Sequence, residues 1–208
     1  MKKRKSRNAK RVGVRSSQVM FRGRVFQVRR DRVVEPSGLE ATREFVVHPG
    51  SVVVLPVFAD GRILLIRQYR HAAGQYLWEL VAGHKESNET GAEGARRELQ
   101  EETGYQARRV RKLLDIFPSP GLLGERMEIF LAEGLTKGAP RPEDDERITH
   151  RIFRLREIER WIRSGKIRDA KSVAGILYYA NFVRGAKTFK RLFRGDQHTC
   201  LPGLHGLC

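Results

Sequence analysis

Three glutamates, Glu98, Glu101 and Glu102, crowd one end of the stretch from Gly83 to Tyr105, behind an irregular loop that begins at a glycine. If that end is helical, residues three and four apart share a face, so Glu98 can reach toward the same point as Glu101 and Glu102. Carboxylates converging on one point repel each other unless cations sit between them. An all-oxygen donor set suits a hard ion such as Mg²⁺ or Mn²⁺, which keeps positions open for water and for a substrate phosphate.

The elements that must hold these residues carry their own signals. Thr90 with Glu93 is a T-x-x-E capping box, and Gly104 stands where a left-handed residue would end a helix, so the spacing predicts a helix from Gly91 to Thr103. Ala92, Ala95 and Leu99 supply its buried stripe, while Arg97 lies four residues from both Glu93 and Glu101 and can pair with either. Upstream, Ser51–Phe58 reads as a buried strand, Ala59-Asp60-Gly61 as a tight turn and Arg62–Tyr69 as its hairpin partner. Before them, Arg24–Val28 and Glu44–Val47 alternate as strands around a turn at Glu35–Gly38, which predicts an N-terminal antiparallel sheet. Leu80–Gly83 leaves a short strand to enter the glutamate loop. Val110–Phe117, Met127–Ala132 and Thr149–Leu155 are further strand candidates, and Leu155–Ser164 and Ser172–Val183 have helical spacing. Strands interleaved with two or three helices argue for an α/β or α+β layered fold.

Composition narrows the field of functions. The 208 residues are 40% hydrophobic, enough for one domain with extensions. No apolar run approaches the roughly 20 residues of a membrane span, and the first residues lack the apolar core of a secretory signal, so the expected compartment is the cytoplasm and no membrane partner is expected. Cys200 and Cys208 lie near the end with His198 and His205, in a spacing that fits no well-defined zinc pattern. With 41 basic against 24 acidic residues, the net charge is +17. Much of it sits in a polybasic start, Lys2 to Arg15, read as a disordered arm over residues 1–17, and in a tail over 184–208. That arm is either a solubilising extension or a contact for nucleic acid.

Gly83, Glu89 and the run Arg97-Glu98-Leu99-Gln100-Glu101-Glu102-Thr103-Gly104-Tyr105 match the Nudix box, G-x5-E-x7-R-E-U-x-E-E-x-G-U, at every fixed position. From about Gln18 to Phe182 the chain resembles the ADP-ribose pyrophosphatase branch of the Nudix hydrolases. The resemblance rests further on Gln68-Tyr69-Arg70, on Trp78–Gly83, on Pro120 fifteen residues after the box, and on Gly165-Lys166-Ile167 with Asp169-Ala170-Lys171. It implies an α/β/α sandwich with a mixed sheet over residues 49–183, preceded over 18–48 by a small antiparallel sheet that helps build a homodimer with shared substrate pockets. It also implies a Mg²⁺-dependent hydrolase of nucleoside diphosphates linked to another group, with Mn²⁺ as a possible substitute.

By that resemblance Glu98 and Glu102 are the chief metal ligands, together with the backbone carbonyl of Ala82, and Glu101 completes the cluster. Arg97 and Glu89 orient loop and helix. A general base must come from elsewhere, since carboxylates saturated by metal accept protons poorly. The acidic loop Pro142–Glu146 is the implied source, with Glu146 as the candidate; Asp144 stands where the branch usually has a glutamate, so Glu143, Glu146 or metal-activated water remain alternatives. Arg43 and Arg70 match arginines that approach the phosphates or the terminal ribose, and a guanidinium fork suits bidentate phosphate contact. Glu79 matches a carboxylate on the substrate side, or else simply pairs with a neighbouring arginine. Phe26, Tyr69 and Trp78 are candidates to stack on a base, whereas Trp161 reads as core. The implied reaction is hydrolysis of ADP-ribose to AMP and ribose 5-phosphate, or of a similar nucleotide sugar. The alternatives are a GDP-mannose pyrophosphatase and, from another class, an RNA-binding or nucleotide-sensing module.

Overall fold

The computed structural model describes residues 12–138 and 148–184. Two sheets result, and the larger carries helices on both faces. The first consists of β1 (Gly13–Arg22), β2 (Gln27–Val34) and β3 (Glu40–Val47), antiparallel throughout. The second contains β4 (Ser51–Val57), β5 (Ile63–Arg70), β6 (Gln75–Glu79), β7 (Val81–His84), β8 (Tyr105–Ile116), β9 (Met127–Lys137) and β10 (Thr149–Phe153). Its main path runs β10-β5-β4-β9-β8, with β6 added to β5 and β7 to β4. Among its described strands β4 and β9 run parallel and the other pairs antiparallel, so the sheet is mixed as expected.

Every residue of β4 is buried, because the sheet is covered on both sides. Val52 and Val54, with Leu64 and Ile66 of β5, face Ala95 and Leu99 of helix α1 (Gly91–Thr103). Val53, Leu55, Ile63 and Leu65 face Ile158 of α2 (Leu155–Arg163) and Ile176 of α3 (Ala170–Tyr178). The period-2 alternation of a strand sends neighbours to opposite layers, which is why a continuous apolar run here builds two cores rather than one. A π-helical segment, Tyr179–Arg184, follows α3. No helix among the described residues is long and apolar enough to cross a membrane.

The local signals for α1 are realised. Thr90 accepts from the Glu93 backbone N–H, Glu93 returns the bond to Thr90, and Gly104 at φ 72° closes the helix. Such a cap contributes about 1 kcal/mol. The β4–β5 hairpin closes through Gly61 at φ +81°, where a side chain would be strained.

The N-terminus departs from expectation. Residues 13–17, read as part of a disordered arm, are the first half of β1, and the strand expected at Arg24–Val28 begins only at Gln27, after a turn closed by Gly23 N–H to the Phe26 carbonyl at 2.9 Å. Every residue of β1 is exposed, so it has no buried face to produce an apolar period. The strand exists because its backbone pairs with β2, from Gly13 opposite Val34 to Arg22 opposite Gln27. The end of β3 then reaches the larger unit: Val46 N–H donates to the Leu122 carbonyl at 2.8 Å, and Gly124 N–H to the Val46 carbonyl at 2.9 Å. The first sheet thereby grips the loop that carries Pro120. The basic start before residue 12, the acidic loop Pro142–Glu146 and the Cys/His-containing tail lie outside the described residues.

Candidate active site

β7 and α1 bring the expected residues together. The carboxylate of Glu98 lies against the backbone of Gly83, so closely that a Cβ on residue 83 would come within 2.1 Å of it. A glycine is required here by close approach rather than by φ. Ala82, whose carbonyl is the expected metal donor, precedes Gly83 in the same strand, which pairs with Val52 and Val53 of β4. Glu98 and Glu102 are one turn apart on α1 and are 9% and 7% exposed. Two carboxylates buried side by side are costly without compensating cations.

Arg97 supplies one such cation. Its Nη1 donates to Glu98 Oε1 at 2.7 Å and to Glu101 Oε2 at 2.8 Å; its Nη2 donates to Glu89 Oε1 at 2.8 Å and to the His84 carbonyl at 2.9 Å; its Nε donates to Glu89 Oε2 at 3.2 Å. One guanidinium thus ties the helix, the loop and the end of β7 into a unit. Hydrogen bonding to Glu89 raises the Arg97 pKa against the effect of burial. The same bond, also opposed by burial, holds Glu89 below the usual carboxylate range. Of the two partners that spacing allowed for Arg97, Glu101 is taken, and Glu93 serves the cap.

No three acidic, histidine or cysteine side chains are gathered about one point among the described residues. Arg97 Nη1 instead holds Glu98 and Glu101 together on one cation, and Glu102 stands one turn on from Glu98. The donor chemistry still fits a hard divalent cation: hard oxygens only, two of them buried carboxylates, one seated in a cradle that only glycine leaves open.

Arg70, opposite Gln75 at one end of the β5–β6 ladder, and Glu79, opposite Ile66 at the other, are joined through their side chains. Arg70 Nε donates to Glu79 Oε1 at 2.9 Å and Nη2 to Oε2 at 2.8 Å, a bidentate pair. Glu79 is 1% exposed whereas the Arg70 side chain is 37% exposed, so the arginine reaches open solvent and the carboxylate does not. The hydrogen bond to Glu79 raises the Arg70 pKa; burial opposes it, and the charges of Glu79, Glu102 and Asp169 add to it. Arg70 therefore stands within electrostatic range of the Glu102 carboxylate. For Glu79, burial works against ionisation, yet the hydrogen bond from Arg70 and the charge of Lys171 prevail and hold it below the usual carboxylate range.

Lys171, Asp169 and Ser172 were missed as site residues. Lys171 Nζ bonds to Glu79 Oε2 and lies 2.9 Å from Asp169 Oδ1. Asp169 caps α3, accepting from Ser172 N–H at 3.0 Å and from its Oγ–H at 2.5 Å, while Ser172 Oγ accepts from Leu80 N–H at 2.7 Å. Helix α3 is thereby pinned to the strand that leads into Ala82 and Gly83. A signal was available: Lys171 is a single cation in the apolar run Ala170–Tyr178, and a buried lysine needs a partner.

Other expected residues fall elsewhere. Arg43 lies on β3 opposite Asp31, its guanidinium bonded to Glu35 Oε1 at 2.9 Å, and does not join either group above. Trp78 packs edge-on against Phe153 at 5.1 Å and beside Trp161, which makes it core rather than a platform for a base. Tyr69 and Phe26 remain exposed, near Tyr76 and Phe21 respectively. Glu146 lies outside the described residues.

Comparison with known proteins places this geometry. The NUDIX domain model matches residues 47–174. An ADP-ribose pyrophosphatase of Mycobacterium tuberculosis is 36% identical over 165 residues, covering 78% of this chain and 80% of that one. An ADP-ribose pyrophosphatase of Bacillus subtilis is 34% identical over 161 residues, covering 76% and 87%. Among solved structures, an ADP compounds hydrolase superposes with a TM-score of 0.76 at 21% identity, covering 87% of this chain and 98% of that one.

Proposed function

The chain belongs to the Nudix family, and from that premise we propose that it hydrolyses the pyrophosphate bond of ADP-ribose, giving AMP and ribose 5-phosphate. The coarser activity, hydrolysis of a pyrophosphate within a nucleotide sugar, follows from its relatives. The observation that carries the reading is the seat of Glu98 on Gly83 beside buried Glu102, with Arg70 within electrostatic range of that second carboxylate.

Glu98, Glu102 and the Ala82 carbonyl would hold a divalent cation, Mg²⁺ by preference and Mn²⁺ in its place, with Glu101 able to join them. Such a cation withdraws charge from the phosphate oxygens and makes phosphorus open to attack by water. The chain's own residues do the rest. Arg70, held by its bidentate bond to Glu79, offers its exposed side to a phosphate oxygen. Arg97 holds the loop and helix in register through Glu89 and the His84 carbonyl. Glu146 is the proposed base that takes the proton from water. Water adds across the anhydride, one P–O bond breaks, and each product departs with one phosphate.

Arg43 enters this scheme only if a second copy brings it. β1–β3 form a sheet whose outer strand leaves Val14, Val19, Met20 and Phe21 exposed, a surface suited to a homodimer in which Arg43 of one subunit approaches the other's site. Light scattering is expected to give twice the chain mass, and deletion of residues 1–34 a monomer with a raised KM; a monomeric full chain removes Arg43 from the site. We propose a cytoplasmic location.

The deciding assay offers ADP-ribose, GDP-mannose, NADH and dinucleoside polyphosphates with Mg²⁺ and identifies the products. ADP-ribose is expected to turn over fastest, with EDTA abolishing and Mg²⁺ restoring the rate, and with Glu146→Gln losing most of it. Preference for GDP-mannose would move the substrate to guanine, and turnover of none would overturn the enzymatic reading in favour of nucleotide sensing.

A further inference from the structure

The charge of this protein is not spread evenly over its surface, and one concentration of it lies away from the glutamate site. Arg62, Arg154, Arg156, Arg160 and Arg163 line an open groove of about 840 Å³ between the β4–β5 turn, the end of β10 and α2. An adjoining hollow of about 620 Å³ shares Arg62, Arg154 and Arg156 and extends the groove to Arg184. Glu98 sits on Gly83, which pairs with Val52, whereas the groove begins where Val57 meets Ile63. Those positions lie five residues apart along β4, about 17 Å at the rise of a strand. The groove lining shares no residue with the seat of Glu98.

From these observations we infer that the groove is a second binding site, for the phosphodiester backbone of a nucleic acid. Leu155 and Ile158 turn inward from α2, and Arg156, Arg160 and Arg163, at i, i+4 and i+7, share the opposite face. They present guanidinium groups at intervals of about one helical turn, 5–6 Å. Glu157 and Glu159 line the same groove, yet Arg154, Arg156, Arg160 and Arg163 form no ion pair among the described residues, so their donors are available to a ligand. Arg62 is partly neutralised by Asp60 at 2.6 Å and plays a smaller part.

The lining also says what the ligand offers. It contains no aromatic side chain, so bases have nothing to stack on, and Ile152 is its main apolar contact, too little to anchor an acidic protein. Repeated negative charge is what remains, recognised without regard to sequence. Arg184 stands at the far rim of the adjoining hollow.

The test uses the full chain and a short fluorescent single-stranded RNA of mixed sequence, with anisotropy followed over a range of salt. Binding is expected, and Arg156→Gln/Arg160→Gln/Arg163→Gln should weaken it at least tenfold while flattening the plot of log K against log salt by about 2, near 0.7 for each lost contact. Hydrolysis of nucleotide sugar by this variant should be unchanged, which keeps the test independent of the active-site assignment. The inference is overturned by absence of binding at low salt, by binding that the triple variant retains, by loss that follows deletion of residues 1–11 alone, or by capture of phosphatidylserine vesicles in preference to RNA.

Discussion

Gly83→Ala should lower turnover of the nucleotide sugar roughly a hundredfold or more, as far as loss of a principal charge-stabilising contact does, although it alters no ionisable group. The added methyl would stand 2.1 Å from the Glu98 carboxylate, well inside van der Waals contact, so the carboxylate must leave its seat. Glu98→Gln should match that loss by the opposite route, leaving the side chain seated and removing its charge. Together the two variants separate position from charge, and titration with Mn²⁺ by calorimetry should show weaker binding in both. Their melting temperatures should stay close to that of the parent, since a carboxylate one turn from another buried carboxylate contributes little net stability. Full activity in Gly83→Ala would mean that the seat of Glu98 is not where the chemistry occurs.

Lys171→Met should be the most destabilising single change in the site region. It leaves Glu79 and Asp169, 1% and 16% exposed as side chains, without the ammonium group they share. Breaking one member of a buried ionic network costs roughly 3 kcal/mol, and at 2–4 °C per kcal/mol for a chain of this size the melting temperature should fall by about 6–12 °C. The double variant Lys171→Met/Glu79→Gln should recover part of that loss, because the buried carboxylate at residue 79, held in the single variant by Arg70 alone, is then a neutral amide. Additivity of the two single changes would mean that the pair does not interact.

The pH dependence follows from Glu79. Its folded pKa lies below the unfolded value, so its contribution to stability is fully present above the unfolded pKa of about 4.3. That contribution is lost as pH falls through the folded value. Without Lys171 only Arg70 still depresses the Glu79 pKa, while burial favours the neutral acid as before. The acid limb of the stability profile should therefore move to higher pH in the variant.

These two sites differ in how far the amino-acid sequence announces them. The glutamate helix is legible because its instructions are local: Thr90 and Glu93 start it, Gly104 stops it, and Ala95 and Leu99 mark the buried face within a few turns. The β4–β5 hairpin is legible for the same reason, with an apolar run on either side of a glycine turn. In β1 the instructions are absent, since a strand exposed on both faces carries no apolar rhythm and owes its existence to pairing with β2, as far as Gly13 with Val34. The Lys171 network spans even more chain, with 92 residues between Glu79 and Lys171, and no spacing rule reaches that far.

By itself, then, the sequence determined the family and the mixed α/β architecture and named the candidate carboxylates, because the box compresses loop, helix and proposed ligands into one short segment. Tertiary structure decided the rest. It chose Glu101 rather than Glu93 for Arg97, buried Glu79 between Arg70 and Lys171, kept Arg43 on a separate sheet, and gathered arginines from a turn, a strand end and a helix into one groove. The physical reason is the range of the forces involved: capping and helical periodicity act within a turn or two, whereas burial and charge pairing depend on which distant segments the packed sheet brings side by side.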